Sequence, residues 1–245
     1  QWWLGGANAG VRALVYHQRT STLYAGGDFT AIGSTVRSYF AQFSSSLTLT
    51  GSDLSFNGPV RAIHLPTSVS STGTSLFVGG DFTSVGSAPR GRLAAFVAPS
   101  WGSGTPTLDG QFNFWLDAPC RRILVLSETK VLVAGDFTTV NGRWRSRFAT
   151  MLRSSRNSGR SASTYWDVVA GYGESGPDGP VHSVALDSDG RPLLAGAFAG
   201  VSPPTRNAVL RLYGDAGSSV PATPSAPSAL SLSDTQIRVS WNSSS

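Results

Sequence analysis

Arginine and aspartate residues that recur at matching positions are the strongest candidates for chemistry in this sequence. The spacing is similar in three pairs, which are Arg12 with Asp28, Arg61 with Asp81, and Arg121 with Asp136. The fourth occurrence has His182 and Ala197, so the strong base and the acid are lost together. One interpretation is an ion pair within each hairpin, in which each arginine faces the glycine beside its aspartate and reaches that aspartate diagonally. The other is a ring of cations at the mouth of a central channel, which would attract an anionic ligand and consist of Arg12, Arg61, Arg121 and His182.

Side chains that support catalysis or metal binding are not grouped along the sequence. His17, His64 and His182 are far apart, and no local Ser/His/Asp set or carboxylate pair accompanies them. Cys120 stands where the other repeats have valine, which predicts a small core residue rather than a nucleophile. The DSDG stretch at 187–190 predicts a hairpin turn, because a calcium loop would need a later bidentate carboxylate. We therefore expect no enzymatic activity, no cofactor and no metal site.

Three tryptophans lie in or near the loops between expected strands. They are Trp101, Trp115 and Trp144. Exposed indole rings stack on sugars, which makes carbohydrate binding one hypothesis for these residues. The other is that they cap the packing at the rim of the fold.

An eight-residue stretch, LYAGGDFT at 23–30, organises the chain because the sequence returns to it three times. The copies are LFVGGDFT at 76–83, VLVAGDFT at 131–138 and the weaker LLAGAFA at 193–199. Each phenylalanine of the repeat is followed eight residues later by an arginine, which we expect to bond loop carbonyls or stack on that ring. The positions expected to be structural are Gly27, Asp28, Phe29, Arg37, Gly80, Asp81, Phe82, Arg90, Gly135, Asp136, Phe137, Arg145, Gly196, Phe198 and Arg206. The rings expected to pack between the sheets are Phe29, Phe43, Phe82, Phe96 and Phe137.

The repeats predict an all-β fold, because each contains several short strand patterns separated by turns. A strand that usually begins with glycine comes first, the GGDF strand second, and a third strand follows the repeat arginine. A fourth strand is predicted at 54–57, 111–114 and 165–168, and residues 1–4 are expected to complete the last repeat. Four antiparallel strands per repeat favour a β-propeller with four visible blades. The alternative is that further blades precede this stretch. Close backbone approach or a bulge is expected at the glycines.

Composition narrows the range of partners. The chain has 245 residues and a net charge of +5, but its charged residues amount to only 13% and Lys130 is the one lysine. The arginines are spread through the repeats, which argues against a nucleic-acid surface. No apolar run approaches the roughly 18 residues of a membrane span.

The order of Gly-x-Val, hairpin, Gly-Gly-Asp-Phe and Arg-x-x-apolar resembles the delta-60 repeat family of β-propellers over residues 1–214. Residues 215–229 read as a Pro/Ser/Ala linker. Residues 230–245 resemble the opening of a fibronectin type III domain, with Leu230 and Leu232 on its first strand and Ile237, Val239 and Trp241 on its second. The resemblance implies a secreted, non-enzymatic module of a multidomain cell-surface, adhesin or appendage protein that assembles with other protein chains or domains. A propeller that binds acidic polysaccharide, and an accessory module of a secreted hydrolase, are the alternatives.

Overall fold

The computed structural model is built from β-strands alone over the residues it describes. Those residues are 6–18, 20–51, 53–66, 76–97, 104–127, 130–157, 162–169, 177–199, 209–211, 228–233 and 236–240. The chain divides into two compact units, Gln1–Leu212 and Tyr213–Ser245. The prediction of an all-β chain is confirmed within this part of the chain.

Each repeat of the first unit forms one antiparallel sheet in which successive long strands pair with each other. The first sheet contains β1 (Val11–His17), β2 (Thr22–Gly27), β5 (Phe40–Phe43) and β6 (Leu49–Thr50). The second contains β7 (Val60–His64), β8 (Leu76–Gly80), β11 (Leu93–Val97) and β12 (Thr107–Leu108). The third contains β13 (Cys120–Ser127), β14 (Lys130–Gly135), β17 (Phe148–Asn157) and β18 (Ala162–Val169). The fourth contains β19 (Val181–Leu186), β20 (Pro192–Gly196) and β21 (Val209–Arg211).

A small hairpin, absent from the sequence-based expectation, follows the second strand in three repeats. Its strands are β3 (Ala31–Ile32) with β4 (Thr35–Val36), β9 (Ser84–Val85) with β10 (Ala88–Pro89), and β15 (Thr139–Val140) with β16 (Arg143–Trp144). We call the residues just before the first strand of each sheet the leading segment. Single bridges join it to the hairpin of the same repeat, at Ala7 with Ile32, Phe56 with Val85, and Leu116 with Val140.

The predicted fourth strand is correct in the third repeat and wrong in the first two. Residues 165–168 lie on β18, but β6 and β12 supply the fourth strands in the first and second sheets. The segments at 54–57 and 111–114 instead carry buried aromatic rings. Phe56 meets Phe82 edge-on with ring centroids 4.8 Å apart, and Phe112 meets Phe77 at 5.4 Å. Burial between sheets, rather than strand pairing, explains the apolar pattern that suggested strands.

The hydrophobic core lies between successive sheets. One buried cluster joins Tyr24 and Phe40 of the first sheet to Val60 and Phe96 of the second, and further clusters join the second to the third and the third to the fourth. β7 contacts both β1 and β13, and β13 also contacts β19. The sheets therefore pack in the order in which they occur along the chain.

The repeat phenylalanines were expected to pack between the sheets. Phe29, Phe82, Phe96 and Phe137 are fully or almost fully buried, whereas Phe43 is only partly buried.

The second unit contains one antiparallel hairpin among the residues described there. β22 (Ser228–Ser233) pairs with β23 (Gln236–Ser240). Leu230 and Leu232 lie on the first of these strands, and Ile237 and Val239 lie on the second, as predicted. Trp241 lies outside the described residues, and so do residues 1–4. The fibronectin type III assignment stays a prediction.

Candidate functional site

The recurring basic residue lies at a β-bulge in every repeat. The register between the first and second strands shifts at the second position of the first strand, which is Arg12, Arg61, Arg121 or His182. A bulge leaves the extra residue out of the ladder and re-aims its side chain. The sequence-based expectation that each arginine faces the glycine beside its aspartate is therefore wrong, because that glycine pairs with the preceding residue.

The second glycine of the GG pair makes the bulge possible. A Cβ on Gly80 would collide with the carbonyl oxygen of Pro59, and the same collision occurs at Gly27, Gly135 and Gly196 with the residue before each first strand. In the second repeat, that carbonyl accepts a hydrogen bond from the Asp81 N–H at 2.8 Å. The expectation of a bulge with close backbone approach is confirmed.

Each bulged arginine forms an ion pair with the aspartate of its own repeat, as the first interpretation predicted. Arg61 donates from Nε to Asp81 Oδ1 at 2.6 Å and from Nη2 to Oδ2 at 2.5 Å. Arg121 makes the same two-pronged contact with Asp136, with both bonds at 2.6 Å. Arg12 differs because its Nε and Nη2 both donate to Oδ2 of Asp28.

The three ion pairs lie close enough to influence one another. The pKa of Arg61 is raised chiefly by its hydrogen bond to Asp81, and the charges of Asp28 and Asp136 add to this effect. Each guanidinium already faces a carboxylate, so the positive charge is neutralised locally. His182 of the fourth repeat is exposed, and its side chain forms no hydrogen bond within the described part of the chain. Binding of an anionic ligand by these four residues stays a prediction.

An asparagine or aspartate in the leading segment supports each repeat, and the sequence analysis missed it. Asn57 Oδ1 accepts hydrogen bonds from the Thr83 and Ser84 N–H groups, and its Nδ2 donates to Thr83 Oγ1. Asn8, Asp117 and Asp178 make corresponding contacts in the other repeats. An Asx residue directly after Phe56 or Leu116 is the signal that could have identified this position.

The environment of Asp117 shifts the pKa of its carboxyl group. Burial raises its pKa, but hydrogen bonds from the Thr138 hydroxyl and from the Thr139 and Thr138 N–H groups outweigh burial. The pKa of Asp117 is therefore lowered overall, and the side chain is held as a carboxylate.

The second set of repeat arginines supports loops, as expected. Arg37 donates to the carbonyls of Val36 and Gly51 at 2.9 and 3.0 Å. Arg90 and Arg145 each donate to the carbonyl of the preceding residue at 2.7 Å. Burial lowers the pKa of Arg90. Arg206 lies outside the described residues.

Cys120 is a core residue, as predicted. Its side chain is fully buried, and burial raises the pKa of the thiol to about 12. The thiolate is the nucleophilic form, so this sulfur is unreactive in the folded chain.

The DSDG stretch is a hairpin turn, as predicted. Asp187 Oδ1 accepts hydrogen bonds from the N–H groups of Asp189 and Arg191, both at 2.8 Å. Within the described ranges, no three His, Cys, Asp or Glu side chains are grouped closely enough to hold a metal ion.

Two of the three loop tryptophans lie in the described residues, and both are exposed. Trp115 is 48% exposed in a leading segment, and Trp144 is 53% exposed on the adjacent hairpin. Trp101 lies outside the described residues. The structure thus brings Trp115 and Trp144 to one region of the third repeat.

Comparison with known proteins identifies no relative. The sequence matches no protein-family model and no curated protein. Where the chain is described, no helix is long and apolar enough to cross a membrane.

Proposed function

We propose that this chain is a non-enzymatic β-propeller module of an extracellular surface, adhesin or appendage protein, and that it mediates protein–protein assembly. Three four-stranded sheets and one three-stranded sheet with matching strand order, packed in chain order, support the propeller. Contact between the last sheet and the first is the further requirement of a closed propeller, and in the proposal that contact is made between two copies of this chain. The partners of the repeat arginines and aspartates support a structural rather than a catalytic use of these residues.

One observation carries the assembly function, namely an apolar face on the first sheet. Leu14 and Tyr16 of β1 are 64% and 51% exposed, and Val11 beside them is also exposed. The corresponding residues of the second sheet, Val60, Ile63 and Leu65, pack against the first sheet. Exposed apolar patches of this kind mark contact surfaces.

The opposite end of the row of sheets offers a complementary surface. Val209 on β21 is 55% exposed, whereas the corresponding Phe40, Leu93 and Phe148 are buried. Ala195 stands at the repeat position of Gly26, Gly79 and Ala134, and Gly26 lies against Val60 and Ile63 of the next sheet. The partner that fits the face of Leu14 and Tyr16 is therefore the fourth sheet of a second copy of this chain.

The oligomeric state of the full chain tests this proposal. Light scattering after size-exclusion chromatography should show that the wild-type chain associates and that Leu14→Glu abolishes this association. The glutamate carboxylate would lose its hydration when it is buried at the contact. Val36→Glu is the matched control, since Val36 is equally apolar and 66% exposed but lies on the small hairpin. A monomer at all concentrations would contradict assembly. If the chain were a monomer and Leu14→Glu lowered its melting temperature, the face of Leu14 and Tyr16 would instead meet the fourth sheet of the same chain.

Carbohydrate binding is a second candidate function, because two exposed tryptophans lie in one region of the third repeat. A glycan array comparing the wild-type chain with Trp144→Ala and Trp101→Ala tests it. Absence of any glycan signal for the wild-type chain would count against this function, and equal binding by all three proteins would count against these tryptophans as its site.

A further inference from the structure

The three contacts between neighbouring sheets of this chain share one arrangement of side chains. A small residue on the second strand of one sheet lies with the first and fourth residues of the next sheet's first strand. The three sets are Gly26 with Val60 and Ile63, Gly79 with Cys120 and Ile123, and Ala134 with Val181 and Val184. A Cβ on Gly79 would lie 2.7 Å from Cys120 Sγ, which shows how closely the sheets fit there. The same contact therefore fixes the register of each sheet against the next.

The fourth sheet has the same small residue, and no further sheet covers it within the described part of the chain. This residue, Ala195, is only partly buried, whereas its three counterparts are buried. In the proposed assembly, Ala195 receives Val11 and Leu14 of a second copy, which are the first and fourth residues of β1 and are exposed. The contact between copies therefore continues the internal contacts in the same register.

This register brings the bulged residues of neighbouring sheets close together. The first strands β1, β7, β13 and β19 contact one another in chain order. Arg61 on β7 lies near enough to Asp28 and Asp136 of the adjacent sheets for both charges to raise its pKa. When the fourth sheet of one copy precedes the first sheet of another, His182 stands to Asp28 of the second copy as Arg61 stands to Asp136.

Asp28 and His182 are the members of this row whose side chains have room for another partner. Both donors of Arg12 bond to Asp28 Oδ2, and Oδ1 accepts no hydrogen bond from the residues that the structure describes. At Asp81 and Asp136, by contrast, arginine binds both carboxylate oxygens. The repeat of His182 has no aspartate at the corresponding position. The open carboxylate oxygen and the exposed imidazole thus belong to opposite ends of the row of sheets.

We propose that the His182 imidazolium of one copy donates a hydrogen bond to Asp28 Oδ1 of a second copy, and that this pair makes the association depend on pH. A protonated imidazole carries the charge that arginine carries in the other repeats, and a carboxylate partner favours that charged form. The gain is present below the ordinary histidine pKa of about 6.5 and is lost as pH rises above it. This inference rests on the assembly function proposed above.

The charged groups around His182 in its own copy do not alter this direction. At the bulge end of the third and fourth sheets, these groups are Arg121, Arg122, Asp136, Arg147 and Asp178. Arg121 pairs with Asp136, Arg122 and Arg147 donate to backbone carbonyls, and Asp178 accepts a backbone N–H. The charged residues at the opposite end of these strands are Lys130, Asp187, Asp189 and Arg191. All of them are present in the free chain and in the assembly alike, so the pH dependence of association depends on what the second copy adds, which is Arg12 and Asp28.

Association of the full chain at two pH values tests the pair. Sedimentation equilibrium should give a dissociation constant about three- to tenfold lower at about pH 5.5 than at about pH 8. His182→Gln cannot ionise, so it should associate equally at both pH values and as weakly as wild type at the higher one. His182→Arg installs the residue of the other repeats, stays charged, and should associate at the higher pH at least as tightly as wild type does at the lower. His17 and His64 are unchanged in all three proteins.

Ala195→Leu tests the register on which the pair depends. The larger side chain would occupy the place of Val11 and Leu14, so association should be lost while the melting temperature of the monomer stays near that of wild type. Ala199→Leu is the matched control, because Ala199 is exposed after the repeat phenylalanine and should associate like wild type.

The outcomes separate this pair from the assembly itself. Association that is no tighter at the lower pH, that keeps its pH dependence in His182→Gln, or that survives Ala195→Leu would refute the pair and leave assembly standing. A monomer at both pH values would refute assembly and the pair together. A monomer whose melting temperature responds to the His182 substitutions would place the contact within one chain and overturn the pairing between copies.

Discussion

The Arg61–Asp81 ion pair gives the sharpest test of how the repeats are stabilised. Its two hydrogen bonds are 2.6 and 2.5 Å long, and the two side chains are only 26% and 25% exposed. The perturbation is a double-mutant cycle with Arg61→Met, Asp81→Asn and the combined variant. Methionine keeps much of the aliphatic length of arginine, and asparagine keeps the shape of aspartate, so mainly the charge contact is removed.

The geometry sets the expected magnitude. Exposed ion pairs contribute about 0.2–1 kcal/mol, because solvent screens them. Parallel two-pronged contacts are stronger, and hydrogen bonds to charged groups are worth about 1.5–3 kcal/mol. For a pair that is mostly buried but still hydrated, we expect a coupling energy of about 1–2 kcal/mol. The Arg12–Asp28 pair is the internal control, because Arg12 is 53% exposed and both its donors share one oxygen. Its coupling energy should stay below about 1 kcal/mol.

Urea unfolding of the four proteins of each cycle, followed by tryptophan fluorescence and circular dichroism, measures both coupling energies. At the Arg61–Asp81 pair, the two single substitutions together should lower the free energy of unfolding by more than the double substitution does. Each single substitution leaves one charge without its partner, whereas the double substitution removes both charges. Added salt should reduce the coupling of the Arg12–Asp28 pair more strongly. A coupling energy at Arg61–Asp81 that does not exceed the one at Arg12–Asp28 would refute the reasoning.

Three further predictions concern single residues. Phe82→Ala should lower the free energy of unfolding by about 3–5 kcal/mol, measured by urea unfolding, because the ring is fully buried against Phe56. Asp117→Asn should fold, and its thermal stability should decline less steeply than that of wild type below about pH 4. A lowered carboxylate pKa stabilises the fold above the unfolded pKa, and this contribution is lost as pH falls through the folded value. Cys120→Val should cost less than about 1.5 kcal/mol by urea unfolding, and wild-type Cys120 should react with DTNB only in urea.

Each of these predictions has a control and a contradicting result. An unchanged melt for Phe82→Ala would contradict the core assignment, and Trp144→Ala should leave the melt near that of wild type because Trp144 is exposed. Parallel stability curves for Asp117→Asn and wild type between pH 3 and pH 6 would contradict the role of the carboxylate; that range brackets the ordinary aspartate pKa of about 3.9. Rapid DTNB reaction in native buffer would contradict the burial of Cys120.

The repeats explain why the sheets and their ion pairs could be predicted from the sequence. The four copies of the repeat can be aligned with one another, and this alignment shows that an arginine and an aspartate recur together. Arg61 and Asp81 could therefore be paired from the sequence even though 20 residues separate them. The sequence predicted a bulge at the glycines, but it did not predict which residue of the first strand is bulged. Glycine signalled a close approach, but which residue leaves the ladder depends on how the Pro59 carbonyl approaches Gly80, where a Cβ would collide with it. That approach is a property of three-dimensional geometry.

The errors in strand assignment have a different physical origin. β6 and β12 are two residues long, which is too short for an alternating pattern to be visible. The strong apolar signal at Phe56 and Phe112 comes from rings packed between sheets, and sequence periodicity alone does not separate such burial from strand pairing. The small hairpins were missed for the same reason of length, although their glycine turns at Gly33 and Gly86 have positive φ.

The fourth repeat separates what forms the bulge from what stabilises it. It lacks both charged partners, yet its register shifts at the same place, between Val181 and Ser183. A Cβ on Gly196 would still collide with the Pro180 carbonyl, and the Ala197 N–H still donates to that oxygen at 2.9 Å. Glycine and the backbone hydrogen bond are therefore sufficient for the bulge, and the ion pair is an addition in the other three repeats. For this reason, breaking Arg61–Asp81 should weaken its sheet by a measurable amount and leave the bulge in place, whereas a side chain at Gly80 should remove the bulge itself.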